Sequence, residues 1–241
     1  MNAKLLTEGI GTFFLVLTVG LTVLAGVDAA PLAIGAVLMV MVYMGGHVSG
    51  AHYNPAVTLA VLLRGKIDTT VALAYMVVQL IAAMAAAAVT SLLMGNVLVP
   101  APSVSAAPLQ VILVEVLFTF ALCLVVLNVA TSRKTDGNSH YGLAIGFTVM
   151  VGAYAGGGIS GGAFNPAVGA GPALVSALMG QGLSAAVVYY LIGPFLGGAL
   201  AALAFRVQQP EEFVPAPPAP LAISVPGLAT EEAERKAVPP A

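Results

Sequence analysis

The chain has 241 residues, of which 59% are hydrophobic and only 7% charged, with a net charge of −2. A soluble domain carries roughly 25% charged residues, so this composition excludes an ordinary water-soluble fold and indicates lipid. The slight negative charge argues against a nucleic-acid partner, and one cysteine, Cys123, excludes an intrachain disulfide.

The first residues, with Lys4, have the start of a secretory leader. Glu8 follows at once, however, and apolar character continues to about Ala25, too long for a leader's hydrophobic region. A retained first span over residues 4–26 is therefore expected. Five more stretches are long enough to cross a ~30 Å hydrocarbon core as helices: residues 31–49, 69–94, 108–131, 141–158 and 183–206. Turn-rich links separate them, among them residues 95–107 with Pro100 and Pro102. Cys123 falls inside the fourth span, where packing is its expected role.

Two apolar segments, 55–63 and 166–179, follow the second and fifth spans. At 1.5 Å per residue the first covers ~14 Å, about half a bilayer. Each opens on Asn-Pro. Asparagine is a good N-cap, and proline suits the first helical position because its missing N–H would be unpaired there anyway. Each segment is predicted to be a half-helix that dips into the membrane and stops. Non-helical backbone at that depth is tolerated only when buried in protein or lining a wet cavity.

The entry to these segments is a repeat. Ser49-Gly50-Ala51-His52-Tyr53-Asn54-Pro55-Ala56-Val57 returns as Ser160-Gly161-Gly162-Ala163-Phe164-Asn165-Pro166-Ala167-Val168. Glu8 and Glu115 open similar strings in the first and fourth spans. Spans 1–3 (about residues 1–100) and 4–6 (about 108–206) are thus two copies of one unit. Three is an odd number, so the second copy is inverted, and inverted repeats with broken helices place a shared site near the midplane. All eight basic residues fall at the very start of the first span, in the links after the second and fourth, or at and beyond the end of the sixth. By the positive-inside rule both termini are cytoplasmic. Residues 207–241, rich in proline and alanine with an acidic cluster at Glu231, Glu232 and Glu234, are expected to be a disordered cytoplasmic tail.

The two Asn-Pro-Ala motifs, the paired glutamates and the string Gly46-His47-Val48-Ser49-Gly50-Ala51-His52-Tyr53-Asn54-Pro55-Ala56-Val57-Thr58 resemble the aquaporins, or major intrinsic proteins, over residues 1 to about 206. The resemblance implies an all-α membrane fold of six transmembrane helices plus two re-entrant half-helices in an inverted 3+3 repeat. It implies a homotetramer in the cytoplasmic membrane, each protomer carrying a pore lined by Asn54, Pro55, Ala56, Asn165, Pro166 and Ala167. It puts His52 at the cytoplasmic pore wall and has Glu8 and Glu115 support the loops. A proton relay is the other reading of two intramembrane acids. His47 is expected to serve helix packing, as are Gly45, Gly46, Gly193 and Gly197.

The chain departs from the family where most relatives carry an outer-constriction arginine: that position is Val168. By distance from the motifs, the other constriction positions are Ile34, Ala153 and Gly162, with a one-residue gap moving Ala153 to Gly152 or Tyr154. Such a filter has no fixed charge, no histidine and no aromatic wall. It is expected to admit small neutral solutes such as glycerol, urea, ammonia or hydrogen peroxide besides water, unless other side chains narrow the pore. Valine there resembles some plant vacuolar members, and the aspartate and lysine typical of glycerol channels are missing after the second motif. No cofactor, metal cluster or catalytic set is expected, so the chain is read as a passive channel and not an enzyme. A secondary transporter, which shares inverted repeats, is the alternative. It would need a coupling site that only Glu8 and Glu115 could supply.

Overall fold

The computed structural model describes residues 1–214. Six helices cross the membrane: α1 (Asn2–Leu24), α2 (Ala30–Ser49), α4 (Thr69–Met94), α5 (Pro108–Thr131), α6 (Tyr141–Ser160) and α8 (Val187–Gln208). Two shorter ones, α3 (Pro55–Leu63) and α7 (Pro166–Leu178), are the half-helices. Among the described residues there is no strand. The largest difference from expectation is in the last span. It begins at Val187, because residues 183–186 form a turn around Ser184 whose hydroxyl accepts from the Ala186 N–H.

The two repeats pack alike. α1 lies on α2 and α4, as α5 lies on α6 and α8. Each half-helix then packs against the last span of the opposite repeat, α3 on α8 and α7 on α4. Small residues permit these approaches. A Cβ on Gly198 would lie 2.6 Å from the Ala56 carbonyl oxygen, and one on Gly171 would lie 2.5 Å from the Ala83 methyl. Across the pseudo-twofold, α2 meets α6 at Gly35 and Gly146, where an added Cβ would come within 2.5–2.7 Å of the facing carbonyl oxygen. Gly193 and Gly197 meet α5 in the same way, and Gly45 receives the Tyr53 hydroxyl. His47 is exposed, so the expected packing role for it is corrected: it lies on the outward face of the last turn of α2. Cys123 is a buried free thiol within the core.

The expected boundary of the tail is also corrected. α8 continues to Gln208, and a 3-10 turn at Pro210–Phe213 folds back over the end of α3. Glu212 is buried there, 2.7 Å from Arg64 Nη2 at the end of α3, and it accepts from the Ser132 hydroxyl (3.1 Å) and the Arg133 backbone N–H (2.7 Å). The Arg64 guanidinium lies over the rings of Phe205 and Phe213, and Lys134 pairs with Glu211. A carboxylate with three donors is a reason for chain to be ordered, and composition alone hides it. The remaining tail, with its prolines and acidic cluster, lies outside the described residues.

Candidate functional site: a midplane junction in a continuous cavity

Each half-helix is entered through a short left-handed stretch. Gly50 and Gly161 cap α2 and α6 at φ 91° and 89°. Ala51 and Tyr53 in the first copy, and Gly162 and Phe164 in the second, also hold positive φ. For a non-glycine residue this conformation costs of order 1 kcal/mol, so it persists only where the surroundings enforce it.

The enforcement is carboxylate. Glu8 is fully buried and accepts from Ser49 Oγ (2.7 Å), the N–H groups of His52 (2.9 Å) and Tyr53 (2.7 Å), and Gln79 Nε2 (2.9 Å). Glu115, equally buried, accepts from Ser160 Oγ (2.7 Å) and the N–H groups of Ala163 (3.1 Å) and Phe164 (2.7 Å). Tyr75 and Tyr190 complete each bracket by donating to the carbonyls of Ser49 and Ser160. Loop N–H groups at membrane depth would otherwise be orphaned at several kcal/mol each. Gln79, Tyr75, Thr58 and Tyr190 escaped sequence reasoning as supports. A polar side chain inside an otherwise apolar span was the available signal.

With its N–H groups tied to the glutamates, each loop turns its other face free. The carbonyls of Ala51, His52, Gly161, Gly162 and Ala163 receive no hydrogen bond from any described residue. All five residues line one cavity of about 450 Å³. A free acceptor at this depth needs a wet lining.

Asn54 and Asn165 cap α3 and α7, accepting from Ala56 N–H (2.8 Å) and Ala167 N–H (2.9 Å). Their amide groups then cross the junction. Asn54 Nδ2 donates to the Phe164 carbonyl and Asn165 Nδ2 to the Tyr53 carbonyl, both at 2.9 Å. A side-chain amide has two N–H donors, so each keeps one for the cavity it lines. Pro55, Ala56, Pro166 and Ala167 are buried behind them. The α3 and α7 N-termini meet here, each carrying roughly +0.5 charge from its helix dipole.

Ile34, Ala153, Gly162 and Val168 all line the same cavity. Of the positions left open there, Ala153 lines the cavity, Gly152 is buried against Phe118 and Phe164, and Tyr154 is 57% exposed. His52 lines the cavity too, its Nδ1 3.1 Å from Thr58 Oγ1 and its ring edge-on to Tyr75. Among the described residues, none that lines it is an acid, a lysine or an arginine.

This architecture has known counterparts. The sequence model of the major intrinsic protein family matches residues 1–205. Aquaporin NIP1-4 of Oryza sativa subsp. japonica is 38% identical over 215 residues, covering 84% of this chain and 76% of the relative. Probable aquaporin TIP1-2 of the same plant is 36% identical over 203 residues, covering 81% and 79%. The aquaglyceroporin structure from Plasmodium falciparum superposes with a TM-score of 0.75 over 87% of this chain and 98% of that one, at 19% identity, a likeness of fold. Six spans, two capped half-helices and a family match over nearly all the described residues lead to one conclusion: this chain belongs to the major intrinsic protein family.

Proposed function

We propose that this protein is a passive membrane channel for water and small neutral solutes that excludes ions and protons. The observation that carries this reading is the crossed asparagine pair at the meeting point of two helix N-termini, inside a continuous cavity with no charged lining residue. An oxygen-bearing solute at the junction accepts from the free N–H of Asn54 and Asn165 while free loop carbonyls receive its hydrogens. A water held by both amides points its own hydrogens outward, which interrupts a proton-relay chain. The paired positive helix ends disfavour cations, hydronium among them.

Glu8 and Glu115 spend their oxygens on loop donors, which leaves no acid for ion coupling and favours the channel over the transporter. It is a channel and not an enzyme. Ile34, Ala153, Gly162 and Val168 form the outer selectivity filter, and its lack of a guanidinium lets glycerol, urea, ammonia or hydrogen peroxide enter with water. The protein works as a homotetramer in the cytoplasmic membrane, both termini inside, with each protomer conducting alone.

The test is stopped-flow light scattering on proteoliposomes under sugar, glycerol and urea gradients. Fast shrinkage followed by fast solute-driven re-swelling is expected, with no response to an imposed proton or sodium gradient. Val168→Arg should cut glycerol and urea flux more than water flux; equal losses would remove Val168 from the filter.

A further inference from the structure

The half-helix α3 ends in a charged cluster that the pore does not use. Arg64, its C-cap, is 5% exposed, and its Nη2 donates to Glu212 Oε2 at 2.7 Å. Glu212 Oε1 accepts from Ser132 Oγ (3.1 Å) and the Arg133 N–H (2.7 Å), and Arg133 Nε lies 3.4 Å from Oε2. The donors come from two parts of the chain, the end of α3 and the link between α5 and α6. The carboxylate comes from a third, the turn after α8. These donors form an anion pocket, and a side chain of the same protein fills it.

One carboxylate does not satisfy this pocket. Two guanidinium groups face it, and among the described residues no other carboxylate lies at ion-pair distance from either. The neighbouring acid, Glu211, is taken by Lys134. Arg64 spends one of its five N–H donors on Glu212. Its Nε is buried with no hydrogen-bond partner among the described residues, and the rings of Phe205 and Phe213 lie against its guanidinium. A buried donor left unmade is costly, and a single negative charge leaves one of the two positive charges unbalanced. A third guanidinium, that of Arg206, lies over the Phe213 ring at 5.3 Å. The Arg133 side chain is 42% exposed, so the pocket has an open edge.

We propose that Arg64, Ser132 and Arg133 form a binding site for a phosphomonoester, and that Glu212 is a tethered occupant which the phosphate displaces. A phosphomonoester carries close to two negative charges at pH 7 and three strong acceptor oxygens. It balances both guanidinium groups, and its oxygens can take arginine N–H donors in pairs. Glu212 competes from a short tether, Gln209 to Glu212, at an effective concentration of order millimolar. The site is therefore closed at low phosphate and opens as the ligand rises, which frees the turn at Pro210–Phe213 from the end of α3. A lipid headgroup and a soluble phosphate ester share this chemistry.

Isothermal titration of the full-length protein in detergent compares inorganic phosphate with acetate at constant ionic strength. Glu212→Ala vacates the site, so it should bind phosphate about tenfold more tightly than the wild type does, and more tightly than it binds acetate. Arg133→Gln added to that variant should remove the gain. Equal phosphate affinity in the wild type and Glu212→Ala overturns the proposal, as does acetate binding as tight as phosphate. Hydrogen exchange on the wild type in phosphatidylcholine nanodiscs keeps the test decisive if Glu212→Ala does not fold. An arriving phosphate should speed exchange of the Glu212 and Val214 N–H groups, which the turn ties to the Gln209 and Glu211 carbonyls. Faster exchange only with phosphatidic acid in the nanodisc assigns a lipid headgroup, and faster exchange with inorganic phosphate assigns a soluble ester. Exchange unchanged by both overturns the site.

Discussion

Glu8 and Glu115 show how one side chain can determine a backbone. Each sits in a span where a carboxylate is costly, and each is retained because it gathers donors that lipid would leave unpaired. Glu115 is the sharper test, since among the described residues it has no amide partner like the one Gln79 gives Glu8. In Glu115→Gln one acceptor oxygen becomes a donor facing either the Phe164 N–H or the Ala163 N–H. The expected cost is about 2–3 kcal/mol, with a lower melting temperature in detergent and reduced water flux. Unchanged stability would mean that helix packing alone holds the second loop. Asn165→Ala removes both the Ala167 cap and the cross-junction bond to Tyr53. It should destabilise by about 1–2 kcal/mol and admit protons, read with a pH-sensitive dye inside vesicles. A variant that stays proton-tight would relocate the barrier to the constriction around Val168.

Between elements, the fold depends on how closely backbones approach. Gly146 of α6 faces the Gly35 carbonyl of α2, and a Cβ there would lie 2.5 Å from that oxygen. Gly146→Leu is expected to separate the two repeats, lowering yield and flux together, while Gly26→Ala, which meets nothing within 4 Å, costs only the strain of its left-handed backbone. Past the end of α8, burial opposes the charge on Glu212. Even so, the Arg133 N–H, the Ser132 hydroxyl and the guanidinium groups of Arg133 and Arg64 hold its carboxyl below the usual carboxylate range. A value lowered by folding stabilises fully above the unfolded carboxylate value, about 4.3, and is lost as pH falls through the folded one. Glu212→Gln should therefore cost about 2 kcal/mol at neutral pH. The gap to wild type should close on acidification below about pH 4. A gap that persists in acid would assign the loss to packing of Phe213.

At the scale of the molecule, the pore is what two inverted repeats create by exchanging half-helices, since each half-helix leans on the last span of the other copy. Neither repeat alone could bury both faces of its re-entrant segment. The ordered chain continues past the last span, because Gln209 to Val214 close over Arg64 and the link at 132–135. Two truncations distinguish this segment from residues 215–241. Removing 215–241 alone should leave the melting temperature and water flux within error of the full chain. Removing 209–241 should lower the melting temperature as Glu212→Gln does. Equal melting temperatures for the two truncations would show that the segment adds nothing.

What the sequence by itself determined about this protein is whatever depends on periodicity and local chemistry. Span number comes from apolar length, the half-helices from Asn-Pro starts, and the inverted repeat from two matching nonapeptides. The structure places the spans and half-helices where the residues indicate, to within a few positions. Only the tertiary structure decided that Gln79 completes the Glu8 bracket, that Glu212 pairs with Arg64, and that Leu98 and Val99 line the cavity. Each of these depends on contacts across 71 to 148 positions or on the path of a link with no period of its own. The physical reason is that a loop's course is set by its anchors, and the anchors become neighbours only when the helices have packed.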